Sequence, residues 1–215
     1  MAKGMLGLSA RVLTLGWLAM AACGDSTTES PGETQEQVER GDQGARIYAT
    51  VSDTNEVVVI DDVTHQVVDS IPVGQGPAIL LHTPDFKKLY SANWKDDSIS
   101  AISTETHAVT AIPVADRPYV IAISRDGSRL YAGLNNKTYD IAVIDTSSDK
   151  VIKSFPNKEL AASIVVSADG TTLYVATIGI GIGTLRAISA EDGSILHEPI
   201  TVGTSPAWIT IEQED

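Results

Sequence analysis

The sequence has 215 residues, a formal net charge of -13 and 43% hydrophobic residues. This length allows one domain or two small ones, and the apolar content is enough for a core, which excludes a wholly disordered chain. The excess of 28 acidic over 15 basic residues makes nucleic acid an unfavourable partner. The only cysteine is Cys23, and no methionine follows Met20. The rest of the chain therefore cannot build a disulfide framework, a cysteine zinc cluster, an iron–sulfur centre, a c-type haem attachment or a copper site with sulfur ligands.

Residues 1–22 are predicted to be a secretory signal peptide. Two basic residues precede an apolar stretch at 12–20, which is too short to span a bilayer as a mature helix. Two alanines then lead directly to Cys23, an arrangement that resembles a bacterial lipoprotein cleavage box, although Met20 stands where leucine is usual. We expect lipidation of Cys23. The alternative is ordinary cleavage near Ala22, which leaves a free cysteine.

Residues 23–45 are predicted to be a lipid-anchored, disordered tether. After the cysteine this segment holds six carboxylates, one arginine and Val38 as its single branched aliphatic residue. Such a composition buries too little apolar surface to offset the entropy of ordering. We therefore expect an exported protein, anchored by lipid in the bacterial cell envelope on the periplasmic or outer-surface side, with its folded domain over residues 46–215.

From residue 46 the chain repeats. Four tyrosines each follow a single Ile or Leu, which comes after Arg or Lys in the first three cases and after Thr in the last. They are Tyr48, Tyr90, Tyr131 and Tyr174, and they lie 42, 41 and 43 residues apart. Each unit contains four short runs with apolar residues at alternate positions, separated by turn residues, which predicts strands rather than helices. Four antiparallel strands in a unit of this length are typical of one blade of an all-β propeller.

The strand count predicts about four blades. Three strands are expected in 46–73, twelve in three full sets, and a lone strand at 207–211, which is of the type missing from the first set. Pairing of that lone strand with the first three would close a small ring and remove exposed sheet edges. An arc of a larger propeller, or a ring shared by two chains as a homodimer, remains the alternative.

One aligned column holds His65, His107, Asp149 and Gly193, five residues after the end of each third strand. These residues share little except tolerance of the left-handed backbone conformation, which a tight hairpin requires. We therefore assign the column to turn geometry rather than to metal binding or catalysis. His82 occupies a column otherwise filled by aliphatic residues and is expected to be a partly buried, satisfied core histidine, whereas His197 is expected to be solvated on an outer strand.

The repeats resemble the YVTN family of β-propellers, which is found in bacterial surface-layer and periplasmic proteins. The resemblance covers about residues 46–211. It rests on Arg129-Leu-Tyr-Ala and Thr172-Leu-Tyr-Val in second strands, Ala142-Val-Ile-Asp-Thr146 in a third strand, Ile71-Pro-Val-Gly74 and Ile112-Pro-Val114 in fourth strands, and Ile123-Ser-Arg-Asp-Gly127 and Val166-Ser-Ala-Asp-Gly170 after first strands. Members of the family usually have seven blades.

In this topology the loops between second and third strands, and the connections between blades, meet at one end of the central channel, where propellers usually bind ligands. We expect the following residues there as candidate ligand contacts: Asp53, Asn55, Trp94, Asp96, Arg117, Asn135 and Tyr139. Trp94 and Arg117 are the strongest of them, because tryptophan and arginine are enriched among the residues that dominate binding interfaces.

No nucleophile with a base, carboxylate pair or metal-ligand cluster recurs at an interpretable spacing. The glycine-rich segment Gly179–Gly183 lacks the spacing of a nucleotide loop and leads into a strand rather than a helix, so we read it as a flexible loop. The sequence therefore predicts a non-catalytic, membrane-tethered module, without cofactor or metal, that binds a protein or a small polar ligand. The alternatives are a lactonase- or lyase-like propeller enzyme and an accessory subunit of a redox complex.

Overall fold

The computed structural model of the protein describes residues 45–179 and 182–212. The predicted signal peptide, Cys23 and all but the last residue of the predicted tether lie outside the described residues. Lipidation and export therefore stay predictions.

The described residues form fifteen strands in four antiparallel sheets, and each sheet follows chain order. The first sheet contains β1 (Arg46–Val51), β2 (Glu56–Asp61) and β3 (Val67–Pro72). The second contains β4 (Pro77–His82), β5 (Lys88–Asn93), β6 (Ser98–Ser103) and β7 (Val109–Pro113). The third contains β8 (Pro118–Ile123), β9 (Arg129–Leu134), β10 (Asp140–Asp145) and β11 (Lys150–Pro156). The fourth contains β12 (Leu160–Val166), β13 (Thr172–Ile178), β14 (Gly183–Ser189) and β15 (Ile200–Gly203).

The apolar core lies between consecutive sheets. One cluster joins the first sheet to the second and contains Val57, Ile71 and Leu89. A second cluster joins the second and third sheets, and a third joins the third and fourth. The middle strands β5, β6, β9 and β10 are buried over most of their length because sheets cover both of their faces. This face-to-face stacking of four-stranded sheets confirms the predicted all-β fold built of propeller blades.

The hairpins between third and fourth strands confirm the predicted backbone conformation. His65, His107, Asp149 and Gly193 have φ values of 55°, 56°, 51° and 73°. The turn after β4 obtains the same conformation without glycine, since Phe86 has φ 58° where the equivalent turns use Gly127 and Gly170. A positive φ is uncommon for a bulky side chain.

The predicted lone strand at 207–211 is wrong. Residues 205–212 belong to no strand, and β1 pairs with β2 alone. The segment nevertheless packs on the fourth sheet, where the backbone N–H of Ile209 donates to Ser163 Oγ on β12 at 3.3 Å. Because residues 207–211 do not pair with β1, the described residues form an arc of four sheets rather than the closed ring that the sequence allowed.

One smaller difference concerns the fourth sheet. His197 is exposed, as expected, but it lies in a bend before β15 rather than on a strand. In residues 45–179 and 182–212 every regular element is a strand, and no helix there is long and apolar enough to cross a membrane.

Candidate functional site

The strands of every sheet run between two ends, and these ends differ in construction. At one end lie the loops between second and third strands and the connectors between sheets; we call this the loop end. At the other lie the turns between first and second strands and the hairpins between third and fourth strands; we call this the hairpin end. The seven candidate ligand residues all lie at the loop end, in loops or connectors.

A buried polar network holds the β5–β6 loop in place. Asn93 is fully buried, and its Nδ2 donates to Ser98 Oγ and Ser100 Oγ, both at 2.9 Å. Ser100 Oγ also accepts a hydrogen bond from the backbone N–H of Gly74 at 3.2 Å. A Cβ on Gly74 would stand 2.5 Å from Asn93 Nδ2, so only glycine allows this approach. The sequence did not predict this network, although Asn93, a polar residue at an inward-facing strand position, was a signal for it.

Trp94 and Lys95 are presented by this rigid loop. The backbone N–H of Trp94 donates to the carbonyl of Gly76 at 3.2 Å, and that of Lys95 donates to the carbonyl of Gln75 at 3.1 Å. The Trp94 side chain is 41% exposed, and Lys95 Nζ lies 5.5 Å from the centre of its ring. This separation is within the range of a cation–π interaction. Trp94 is therefore an exposed aromatic surface on a fixed backbone.

Asp96 and Asn55 accept hydrogen bonds from the backbone of the connector between β3 and β4. Asp96 Oδ2 accepts from the N–H of Gln75 at 2.6 Å, and Asn55 Oδ1 accepts from the N–H of Gly76 at 2.9 Å. These bonds join the loops of the first two sheets. The side chains of Asn55 and Asp96 are therefore structural at this point, although Asp96, like Asp53, is exposed.

Arg117 lies in the next connector, between β7 and β8, and Asn135 and Tyr139 lie in the β9–β10 loop. Arg117 Nε donates to Asp116 Oδ1 at 3.2 Å, and the Arg117 carbonyl accepts from the N–H of Asn135 at 2.9 Å. Tyr139 has φ 52° and its carbonyl accepts from the N–H of Asn157 at 3.3 Å. Arg117 is exposed, and the other two are half-buried. The loop end thus carries all seven predicted residues, and their contact with a ligand stays a prediction.

A further charged cluster lies at the loop end of the fourth sheet. Glu159 Oε2 accepts from Thr177 Oγ1 at 2.5 Å and pairs with Arg186 at 3.1 Å. Arg186 is largely buried, and its Nε has no hydrogen-bond partner among the described residues. Gly179, at the start of the glycine-rich segment, lies beside this cluster, because a Cβ added to it would stand 3.7 Å from Glu159 Oε1.

The histidines form no joint site. His82 is half-buried, with its ring centre 5.7 Å from that of Tyr48 and 5.3 Å from that of Phe86. Burial lowers the pKa of His82, and its Nδ1 has no hydrogen-bond partner in the described chain. The prediction of a partly buried histidine is confirmed, but that of a satisfied one is not. Within the described ranges no three His, Cys, Asp or Glu side chains are close enough to share a metal ion.

At the hairpin end, the contacts between the second and third sheets, which we call seam A, contain a partly buried ion pair. Lys88 Nζ lies 2.6 Å from Asp149 Oδ2, and Tyr90 Oη donates to Asp149 Oδ1 at 2.7 Å. Lys88 Nζ also donates to the Thr146 carbonyl at 2.8 Å. Tyr90 is fully buried, and burial, followed by the hydrogen bond to Asp149, strongly raises its pKa. The sequence showed the tyrosine column with its preceding cation, but not this partner.

Comparisons with known proteins agree with the sheet arrangement. No protein-family profile matches the chain. A seven-bladed beta-propeller protein of Mycobacterium tuberculosis, Rv1057, is 26% identical over 147 residues, which are 66% of this chain and 37% of that protein. Hydrazine synthase of Kuenenia stuttgartiensis superposes with a TM-score of 0.68 at 25% identity, over 75% of this chain and 47% of that one.

The described residues are part of a β-propeller. Dihydro-heme d1 dehydrogenase NirN in complex with DHE has the same fold, with a TM-score of 0.60 at 15% identity over 74% of this chain and 36% of that chain. This chain thus spans less than half the length of each of these three proteins. The seven-bladed description belongs to the mycobacterial protein, whereas four blade-like sheets are described here.

Proposed function

We propose that this chain is a non-catalytic binding module of the YVTN type, anchored in the bacterial cell envelope through a lipid on Cys23. In this proposal its loop end binds a protein or a small polar ligand. The observation that carries the proposal is the exposed Trp94 on a loop held by backbone hydrogen bonds to Gly76 and Gln75.

A fixed, exposed aromatic side chain favours binding for an energetic reason. Ordering of flexible side chains opposes association, so a surface that is already rigid loses less entropy when a partner docks. The loops around Trp94 are held by the Asn93 network and by the carboxylate of Asp96. Tryptophan and arginine often dominate the binding energy of such surfaces, which supports Trp94 and Arg117 as the main contacts.

The envelope anchor is supported by the first 45 residues of the sequence. The short apolar stretch before Cys23 and the acidic segment after it fit a cleaved signal and a solvated spacer. Replacement of Cys23 with serine should abolish incorporation of labelled fatty acid and move the protein from the membrane fraction to the soluble fraction. Fatty-acid labelling that persists in this variant would contradict the anchor.

Site-specific photo-crosslinking in intact cells tests the loop end as a binding surface. A benzophenone amino acid is placed at Trp94 or, as a matched control, at Phe86, which is 67% exposed at the hairpin end. We expect one discrete crosslinked product from position 94 and none from position 86. Equal crosslinking from both positions would show that the loop end has no special role.

A second candidate function is an accessory role in a redox complex. It is favoured by two similar structures, which are named hydrazine synthase and dihydro-heme d1 dehydrogenase. In this case the product crosslinked to position 94 should contain a haem protein, detected by haem staining and absorbance. A crosslinked partner without any redox centre would favour the first candidate. No side-chain cluster in the described chain favours a lactonase or a lyase.

A further inference from the structure

The outer face of the first sheet exposes a position that is buried in the other three sheets. Ile47 on β1 precedes the second-strand tyrosine and is 49% exposed. Its three equivalents, Leu89, Leu130 and Leu173, are 0% exposed, because each lies in an apolar cluster with the preceding sheet. Among the described strands no sheet precedes the first one. Ile47 therefore marks an apolar sheet face without a cover.

The opposite face of the fourth sheet has the same property. Ile200 on β15 pairs with Leu185 of β14, as Ile112 pairs with Ile99 in the second sheet. Ile200 is 61% exposed, whereas its equivalents in the first three sheets are 2%, 1% and 7% exposed; they are Ile71, Ile112 and Phe155. Exposed apolar surface of this kind is uncommon at the ends of a stack of repeats, where the outer faces are normally polar.

The two exposed positions are the two halves of one recurring contact. Between consecutive sheets, the outer-strand residue of one sheet shares an apolar cluster with the leucine of the next. The three pairs are Ile71 with Leu89, Ile112 with Leu130, and Phe155 with Leu173. Ile200 supplies the first half of such a contact and Ile47 the second. Both stay exposed in the single chain, so they do not cover each other.

The segment after β15 has the spacing of a first strand for a further sheet. In each connection between two sheets, the same step along the chain leads from the outer-strand residue to the equivalent position of the next first strand. The three steps run from Ile71 to Pro77, from Ile112 to Pro118 and from Phe155 to Ala161. The same step from Ile200 leads to Pro206, directly before the apolar pattern of 207–211.

Both this segment and β1 lack a strand partner. Residues 207–211 lie over the fourth sheet, where Ile209 and Ile211 line a cavity of about 310 Å³ together with Tyr174 and Leu185. The segment therefore covers this face incompletely. Among the described strands β1 pairs with β2 alone, so one edge of the first sheet is open. An open edge favours the addition of a further strand.

We propose that two copies of this chain associate head to tail, with the fourth sheet of each copy packed on the first sheet of the other. Residues 207–211 of one copy then pair with β1 of its partner and supply the first strand that this sheet lacks. A second copy fits because its two outer faces are the two halves of the contact that already joins consecutive sheets within the chain. The contact occurs twice in the dimer and closes a ring. These faces are separate from the Trp94 surface, so the proposal does not depend on the proposed function.

The existing sheets predict the register of this strand pairing. In each complete sheet one first-strand residue lies opposite the residue that follows the tyrosine. The pairs are Leu80 with Ser91, Ile121 with Ala132, and Ile164 with Val175. By the same alignment Ile209 should lie opposite the partner's Ala49. A slip by one residue would turn the side chain to the other face of the sheet.

Disulfide trapping in the full chain tests this register. Ala49→Cys and Ile209→Cys are combined in a Cys23→Ser background, so that the two added cysteines are the only ones. Opposed residues of paired strands bring their Cβ atoms close enough for a disulfide. After mild oxidation of the purified protein, we expect a linked product with twice the mass of the chain, which disappears on reduction. The matched control, Ala49→Cys with Thr210→Cys, is shifted by one residue and should give about 10-fold less of this product.

Two charge substitutions test the contact between the sheets separately. Ile200→Asp places a carboxylate in the proposed interface and should lower the yield of the linked dimer about 10-fold, because the interface offers this charge no partner. Ile152→Asp changes a residue of β11 that is 48% exposed on the third sheet, and it should leave the yield within about 2-fold of the parent value. Both positions are exposed in the single chain, so neither substitution should unfold it.

Four results would overturn the proposal. A disulfide within one chain would mean that the four sheets close on themselves. A ladder of products of increasing mass would mean an open stack, and the absence of any product would mean that another protein or a further segment covers these faces. Equal yields in the two registers, or in the two Asp variants, would mean that the trapped contact is not this interface. None of these results bears on crosslinking at Trp94, so failure here is distinguishable from failure of the proposed function.

Discussion

Seam A starts from nearly the same strand sequence as seam B, the contacts between the third and fourth sheets at the hairpin end, but the two end in different structures. Lys88 and Tyr90 close on Asp149 in seam A, whereas Arg129 and Tyr131 face a cavity in seam B. The hairpin of the third sheet supplies the Asp149 carboxylate of seam A, whereas in seam B Arg129 pairs with Asp145 of its own sheet and Glu191 of the fourth sheet pairs with Lys153. A repeat unit therefore determines its own strands, but the chemistry between units depends on both neighbours.

The largest effect on stability is expected from replacing Gly193, which lies in the hairpin of the fourth sheet, with alanine. In Gly193→Ala the new Cβ would stand 2.2 Å from Phe155 Cδ2, at φ 73°. We expect a loss of about 3 kcal/mol in the free energy of unfolding, which combines steric overlap with left-handed strain. Urea denaturation measures it.

Gly170→Ala is the matched control for this substitution. Gly170 has φ 72° with no atom within 4 Å of the Cβ position. Only the backbone strain remains, so the expected loss is about 1 kcal/mol. Equal losses in the two variants would show that Phe155 does not press on the hairpin of seam B.

Removal of the charge from seam A should have the next largest effect. Asp149→Asn keeps the shape and tolerates the left-handed backbone, but it weakens the contacts to Lys88 and Tyr90. The free energy of unfolding should fall by about 2 kcal/mol, since the pair is only partly shielded from water. The exposed Asp53→Asn serves as control and should change stability by less than about 0.5 kcal/mol. Similar losses in the free energy of unfolding of both variants would show that the contacts of seam A do not stabilise the fold.

The smallest effect concerns acid stability at the turn that borders seam B. Hydrogen bonds from Ser124 and Ser128 lower the pKa of Asp126 to about 2, from an ordinary value of 3.8. Because the pKa is lower in the folded state, the ionised group stabilises the fold above about pH 4, and this contribution is lost as the pH falls towards 2. Asp126→Asn should be less stable than the wild type at pH 7 and equally stable near pH 2. A difference that is independent of pH would contradict this account.

The strands and hairpins were predictable because their signals are local. Alternating apolar residues mark each strand, and the residue types at His65, His107, Asp149 and Gly193 indicate the positive φ that all four adopt. The segment 207–211 has the same apolar pattern and forms no strand, because a strand also needs a partner for its backbone groups.

The candidate site was predictable only in part. Their polarity predicted that Asn55 and Asp96 lie at the loop end. Residue type does not show, however, that their side-chain oxygens accept hydrogen bonds from the backbone of the fold. The contact of Tyr90 with Asp149 joins residues 59 positions apart on different sheets. Its detection requires the stacking of the sheets and the hairpin geometry together, which periodicity alone does not supply.

The most direct test of the difference between the seams is the free energy of unfolding of Tyr90→Phe and Tyr131→Phe. Tyr90→Phe should lose about 1 to 2 kcal/mol, because it breaks a buried hydrogen bond to a carboxylate. Tyr131→Phe should remain within about 0.3 kcal/mol of the wild type, because its hydroxyl makes no hydrogen bond to another residue in the described chain. Equal losses in the two variants would show that the tyrosine of seam B is already satisfied, and would contradict the account.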